Sequence, residues 1–203
     1  MEALYISVYD DPLSLEPGTK AADLELLPAW RRAKVLAMRD TVHRAMGVRA
    51  FLMLGDMLRA HFGIEQIPEF AYGAHGKPYM KEYPDIHFNI AHCRRAAMCV
   101  VADRPVGCDI EETGRGASEG LIAKCMSPDE QAAIAQADDR GAVFASLWTR
   151  KEAVGKCIGT GLTDEMPHYL DADRLRGFDL RGEVRRDKGY AIAVCLGGKE
   201  AEQ

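Results

Sequence analysis

The rhythm of hydrophobic and polar positions changes several times along the chain, and each change marks an element. The opening Ala3-Leu4-Tyr5-Ile6-Ser7-Val8-Tyr9 is rich in strand formers and predicts a first β-strand, closed by a turn at Asp10-Asp11-Pro12. From Ala21 to Met46 apolar side chains recur at helical spacing (Leu26, Leu27, Trp30, Ala33, Val35, Met38), and a second helical run from Val48 to Phe62 carries Phe51, Leu52, Leu54, Met57 and Leu58 before Gly63 ends it. A loop holding Gly73, Gly76 and Pro78 leads into short extended segments at 87–91, 96–101 and 105–111, which predict a central sheet. Ser127-Pro128-Asp129-Glu130 has the cap, first-turn proline and acidic residue of a capping box, and a long helix is expected from about Gly141 to Cys157. Residues 175–180 and 189–196 read as closing strands, the latter entered through an Asp187-Lys188-Gly189 turn. Helices followed by strands therefore occur twice, with a changeover near Ala102 to Pro105. The predicted architecture is α+β with two similar α/β halves, residues 1–103 and 104–203, and a ligand cleft at their seam.

Composition narrows the function classes. A chain of 203 residues, 47% apolar and 28% charged, can bury a core without disulfides or a structural metal. Its net charge of −5 gives no electrostatic reason to bind nucleic acid or an anionic membrane, so any anion must be held by a local patch. No apolar run approaches the ~20 residues needed to cross a bilayer. Six cysteines without a Cys-x-x-Cys pair, and a start lacking the basic-then-apolar order of a secretory signal, predict a reducing cytoplasm. The cysteines read as packing residues, and the histidines show no zinc-binding spacing. A monomer is the expected state.

The chemistry-bearing residues lie in short, well-separated groups. Strand alternation puts Asp109 and Glu111 on one side of the 105–111 segment, ~6.6 Å apart along the chain, with Ile110 opposite. Such a carboxylate pair either faces water or shares a hard cation such as Mg²⁺. In Trp148-Thr149-Arg150-Lys151-Glu152-Ala153-Val154-Gly155-Lys156, Glu152 and Lys156 are an i,i+4 pair on one helix face. They form either a surface ion pair worth ~0.4 kcal/mol or part of a metal and phosphate site. Lys77 sits between a flexible glycine and a rigid proline in Gly73-Ala74-His75-Gly76-Lys77-Pro78, a setting able to hold a cation at a phosphate. Arg31, Arg32, Lys34, Arg39, Arg44 and Arg49 concentrate positive charge in an acidic protein, as a polyanion site or as solvated helix faces. His92, at a strand end, is placed either to donate to a phosphate or to serve a structural hydrogen bond.

In order, Gly76-Lys77-Pro78, Phe88-Asn89-Ile90-Ala91-His92, Val106-Gly107-Cys108-Asp109-Ile110-Glu111 and Trp148-Thr149-Arg150-Lys151-Glu152-Ala153, followed by Lys156 and Gly159-Thr160-Gly161-Leu162, resemble the Sfp-type 4'-phosphopantetheinyl transferases. The resemblance spans nearly the whole chain, including the Arg49-x-Phe51-Leu52 helix. It implies two α/β halves related by pseudo-twofold symmetry, with coenzyme A and Mg²⁺ bound between them. It further implies transfer of the 4'-phosphopantetheine arm of coenzyme A to a serine of an apo acyl or peptidyl carrier protein. Asp109, Glu111 and Glu152 are then the magnesium ligands, and Glu152 and Lys156 the catalytic pair. Arg49, Lys77, Pro78, Asn89, His92, Asp109 and Lys156 contact coenzyme A, with His92 at the 3'-phosphate. Departures from the pattern are Ala91 and Cys93 where serine is frequent, and Met126 in place of an aromatic residue. A hydroxyl lost at Ala91 costs about 1 kcal/mol of grip on coenzyme A and leaves the reaction type unchanged. A metal-dependent nucleotide phosphohydrolase and a non-catalytic carrier-protein or coenzyme A binding module are the competing readings.

Overall fold

The computed structural model describes residues 3–11, 21–114 and 116–198. Strand β1 (Leu4–Tyr9) forms where expected, while Pro12 of the predicted turn lies outside the described residues. The long helical stretch from Ala21 to Met46 is divided into α1 (Ala21–Glu25), α2 (Ala29–Leu36) and the start of α3 (Thr41–Phe62). Local chemistry explains the breaks. Pro28, at φ −55° and ψ 149°, stands as the N-cap of α2. Asp40 is extended and its carboxylate accepts a 2.8 Å hydrogen bond from the His43 N–H, starting α3. Helix α3 then runs through Met46 and Val48 without interruption, so the boundary expected there moves upstream to Asp40. Gly63, at φ 67°, closes it with its N–H on the Arg59 carbonyl.

The predicted loop at Gly73–Pro78 contains a hairpin, β2 (Phe70–Tyr72) with β3 (Pro78–Met80), in which Tyr72 pairs with Pro78. Strands β4 (His87–His92), β5 (Ala97–Ala102) and β6 (Val106–Glu112) fall where the sequence puts extended segments, but they do not form one sheet. The first sheet has the order β1-β5-β4, all antiparallel, with Tyr9 and His92 both opposite Ala97. Strand β6 instead opens a second sheet, pairing with β8 (Tyr190–Leu196), which pairs in turn with β7 (Asp179–Arg185). The expected strand at 175–180 is thus displaced by several residues. The turn before Gly189 fixes the hairpin register, with Arg185 opposite Tyr190, and residues 175–178 are left as turns.

Both sheets share one plan, in which the first strand lies beside the last and the intervening strand takes the far edge. Strand β5 is buried along its whole length, which its unbroken apolar run Ala-Met-Cys-Val-Val-Ala reflects. Ala97, Cys99 and Val101 pack on Met46, Leu54, Met57 and Leu58 of α3. Met98, Val100 and Ala102 pack on Val106, Cys108 and Ile110 of β6 and on Val194 and Leu196 of β8. On the other face of the second sheet, Ala193 and Cys195 meet Ala153, Val154 and Cys157 of α6 (Arg140–Ile158). Helix, sheet, sheet and helix are therefore stacked as layers, an α+β fold. All six cysteines are buried, each as a free thiol.

Between the second-sheet strands lie α4 (Glu119–Cys125) and α5 (Pro128–Gln136). The capping box of α5 forms as predicted: Ser127 Oγ accepts from the Glu130 N–H and Glu130 Oε2 accepts from the Ser127 N–H at 2.7 Å. Glu130 also pairs at 2.8 Å with Lys151, whose fully buried ammonium donates to the Met166 and Pro167 carbonyls. The departing residues Ala91, Cys93 and Met126 are all buried packing groups.

Candidate active site

Strand alternation turns Gly107, Asp109 and Glu111 toward α6. Gly107 permits the closest approach: a Cβ there would collide with main-chain atoms of Ala153 and Cys157. The missing side chain lets strand and helix touch backbone to backbone, and beside that contact the charged residues meet. Lys156 Nζ donates to Asp109 Oδ1 at 2.6 Å and stands 3.9 Å from Glu152 Oε2. Residues far apart in sequence thus form one acid–base cluster.

Burial sets its electrostatics. Desolvation raises the Asp109 carboxyl above its ordinary value against the opposing pull of Lys156. Glu152 is raised as well, first by burial and then by the Asp109 charge, with Lys156 acting against both. Burial by itself would lower the Lys156 ammonium, but the two carboxylates together hold it above its usual value. Asp109 Oδ2 is buried without a hydrogen-bond partner. An ionised oxygen in that position calls for a cation, and an all-oxygen donor set fits a hard divalent ion. Glu111, two residues on, lines an adjoining groove with Leu121, Phe144 and Trp148. Among the described residues no three His, Cys, Asp or Glu side chains are gathered as a ready-made metal cluster.

Asp109 and Lys156 form one end of a cleft of about 360 Å³ that also reaches Pro78, Asn89 and His92. Asn89 Oδ1 accepts from the Cys108 N–H at 3.0 Å, tying β4 to β6 across the seam. The His92 ring lies over Gly47 of α3, where an added methyl would stand 3.0 Å from Nε2, and that nitrogen is buried without a hydrogen-bond partner. Burial, then the neighbouring His43, Arg31, Lys156 and Lys34, hold the imidazole down to about 3. His92 is therefore neutral at physiological pH, amid cations.

Other residues singled out in the sequence lie elsewhere. Lys77 donates to the Val106 and Cys157 carbonyls at 3.1 and 2.9 Å, so its ammonium joins the β2–β3 hairpin to the second sheet and to α6. It borders a different cavity of about 420 Å³ with His75, Pro105 and Phe178. Arg49 places its guanidinium 5.0 Å from the Tyr9 ring centre and lines a third cavity with Leu52 and Arg59. Conversely, Trp30, Arg31, Lys34 and Tyr72 line the cleft without having been assigned to it. The basic cluster was visible in the sequence. The signal separating Arg31 and Lys34 from their neighbours is their i,i+3 spacing, which sets both on one face of α2.

This arrangement, a buried and a half-buried carboxylate clamping a lysine at the end of a basic cleft, suits handling of a phosphate ester with a divalent ion. The 4'-phosphopantetheinyl transferase superfamily signature matches residues 105–198, the segment holding β6 to β8 and the acid–base cluster. A 4'-phosphopantetheinyl transferase of Bacillus subtilis is 33% identical over 219 residues, covering 95% of this chain and 91% of that one. The 4'-phosphopantetheinyl transferase Sfp of Bacillus subtilis (strain 168) is 30% identical over 211 residues, with the same coverage. The L-aminoadipate-semialdehyde dehydrogenase-phosphopantetheinyl transferase of Eremothecium gossypii is 30% identical over 201 residues, 87% of this chain and 67% of that protein. Likeness of this extent over almost the whole length, together with the match at the acid–base cluster, makes the chain a member of the Sfp-type 4'-phosphopantetheinyl transferase family.

Proposed function

We propose that this enzyme transfers the 4'-phosphopantetheine arm of coenzyme A to a serine of an apo acyl or peptidyl carrier protein, releasing 3',5'-ADP. The observation that carries the reading is the cluster of Asp109, Glu152 and Lys156 at the end of a cleft whose other wall is basic. In this reading Asp109, Glu111 and Glu152 would hold Mg²⁺, which would polarise the β-phosphoryl group and offset charge on the departing bisphosphate. The serine oxygen attacks the β-phosphorus in line, and the bond from that phosphorus to the 3',5'-ADP oxygen breaks. Glu152 accepts the serine proton, directly or through water, and its burial-raised pKa favours that role. Lys156 holds a fixed positive charge at the diphosphate. His92, Arg31 and Lys34 receive the 3'-phosphate end.

Nucleotide-end contacts then fall in residues 1–103, with metal and catalytic residues in 104–203. No helix among the described residues is long and apolar enough to cross a membrane. A cytoplasmic monomer is the proposed working form. Incubation with coenzyme A, Mg²⁺ and purified apo carrier proteins, followed by mass spectrometry of the carrier, should show the added arm. Breakdown of coenzyme A without a carrier would favour the phosphohydrolase instead.

A further inference from the structure

The cleft has an aromatic rim that the transfer chemistry leaves unused. Trp30 is 42% exposed and Tyr72 52% exposed, and both line the cleft. Trp30 is held by near-perpendicular contacts with Phe51, Phe70 and Tyr72, at centroid distances of 6.0, 6.0 and 6.1 Å. Contacts on several sides fix the plane of the indole, so its exposed part is a preset surface. Two adjacent aromatic rings, each partly exposed on a cleft wall, offer a flat apolar face that a planar ligand group can cover.

Charge on the same wall identifies that ligand. Trp30 and Lys34 are i,i+4 on α2, which sets their Cβ atoms roughly 6 Å apart on one face. Arg31 lines the same cleft, anchored by its 2.9 Å hydrogen bond to the Gly47 carbonyl. A flat apolar surface beside cations fits a heterocyclic base on a phosphorylated sugar. The pantetheine arm leaves coenzyme A on the far side of the diphosphate, so it does not compete for this position. Resting on the coenzyme A reading above, we infer that Trp30, flanked by Tyr72, is the platform on which the adenine ring stacks, and that it sets preference for a base-bearing donor.

The test is calorimetric titration of wild type, W30A, W30F and Y72A with adenosine 3',5'-bisphosphate and, separately, inorganic pyrophosphate, alongside steady-state transfer from coenzyme A. W30A should weaken bisphosphate binding about tenfold, as expected for loss of one stacked base, and raise KM for coenzyme A to match while kcat stays within about twofold. W30F should recover most of the affinity, and pyrophosphate binding should be unchanged throughout. Should W30A lose its native circular dichroism, Y72A carries the test, with an expected loss of about threefold. Bisphosphate binding by W30A, or by Y72A in its place, as tight as wild type, with transfer intact, would overturn the inference alone. Absence of both transfer and bisphosphate binding in wild type would overturn the coenzyme A reading and this inference with it.

Discussion

The carboxylates of the acid–base cluster are strained electrostatically as they stand. Glu152 is raised by burial and by Asp109, so its ionised form is less stable in the fold than in the unfolded chain. Its contribution to stability is greatest at low pH and is lost as pH rises through the folded value. Glu152→Gln should therefore reduce transfer by about 100-fold or more while its urea midpoint, measured in EDTA at pH 7, is no lower than that of wild type. His92 has the opposite sign. Its imidazole, held at about 3 against an ordinary 6.5, stabilises the fold above 6.5 and loses that contribution as the solution is acidified. The urea midpoint of wild type should fall more steeply from pH 6.5 to 5 than that of His92→Gln. His92→Ala should weaken coenzyme A more than dephospho-coenzyme A in competition assays; an equal loss would refute the 3'-phosphate contact. At this scale the sequence was informative where helical spacing fixed a residue's neighbours: Glu152 and Lys156 share a face as their i,i+4 spacing implied, while the meeting of Asp109 with them was implied only by the family resemblance. For Lys77 the neighbours in sequence, glycine before and proline after, describe the loop and say nothing of the carbonyls 29 and 80 residues away that accept its hydrogen bonds.

Elements, rather than single side chains, set the distance across the site. The Gly107 contact brings β6 against α6, and the separation of Asp109 from Glu152 and Lys156 follows from it. Gly107→Ala should cost about 3 kcal/mol in urea unfolding, since the colliding atoms are main chain and cannot rotate aside, and should impair transfer although no catalytic group is altered. Helix and strand identities were legible where periodicity ran long, as in α3, α6 and β8. Three-residue strands such as β2 and β3 were not, because a run that short has no measurable period and Pro78 argues against a strand until its partner is known. The break at Pro28 and the start at Asp40 carried ordinary signals, proline and an acidic cap, that the continuous apolar spacing from Leu26 to Met38 obscured.

For the molecule as a whole, the repeated strand order places the cleft at the seam, so contacts between the two sheets' surroundings hold the site together. Tyr190, fully buried, donates to Asp10 Oδ2 at 2.8 Å and accepts from Arg185, linking the residue after β1 to the β7–β8 hairpin. Burial and the hydrogen bond to Asp10 push its phenol up to about 12, so it remains protonated at any working pH. Tyr190→Phe should lower stability by about 1–2 kcal/mol in urea unfolding and leave KM for coenzyme A unaltered, because the contact lies away from the cleft. That the chain folds in two similar parts was readable from the recurrence of helices before strands. The assignment of β6 was not, since pairing depends on β8 some eighty residues later and leaves no local trace. With six free thiols all shielded in the native packing, a colourless alkylating reagent should leave the intact protein unlabelled and modify every one once the core opens. The chain thus carries its own clock for opening, and the order in which Cys93, Cys99, Cys108, Cys125, Cys157 and Cys195 gain mass would report which layer parts first.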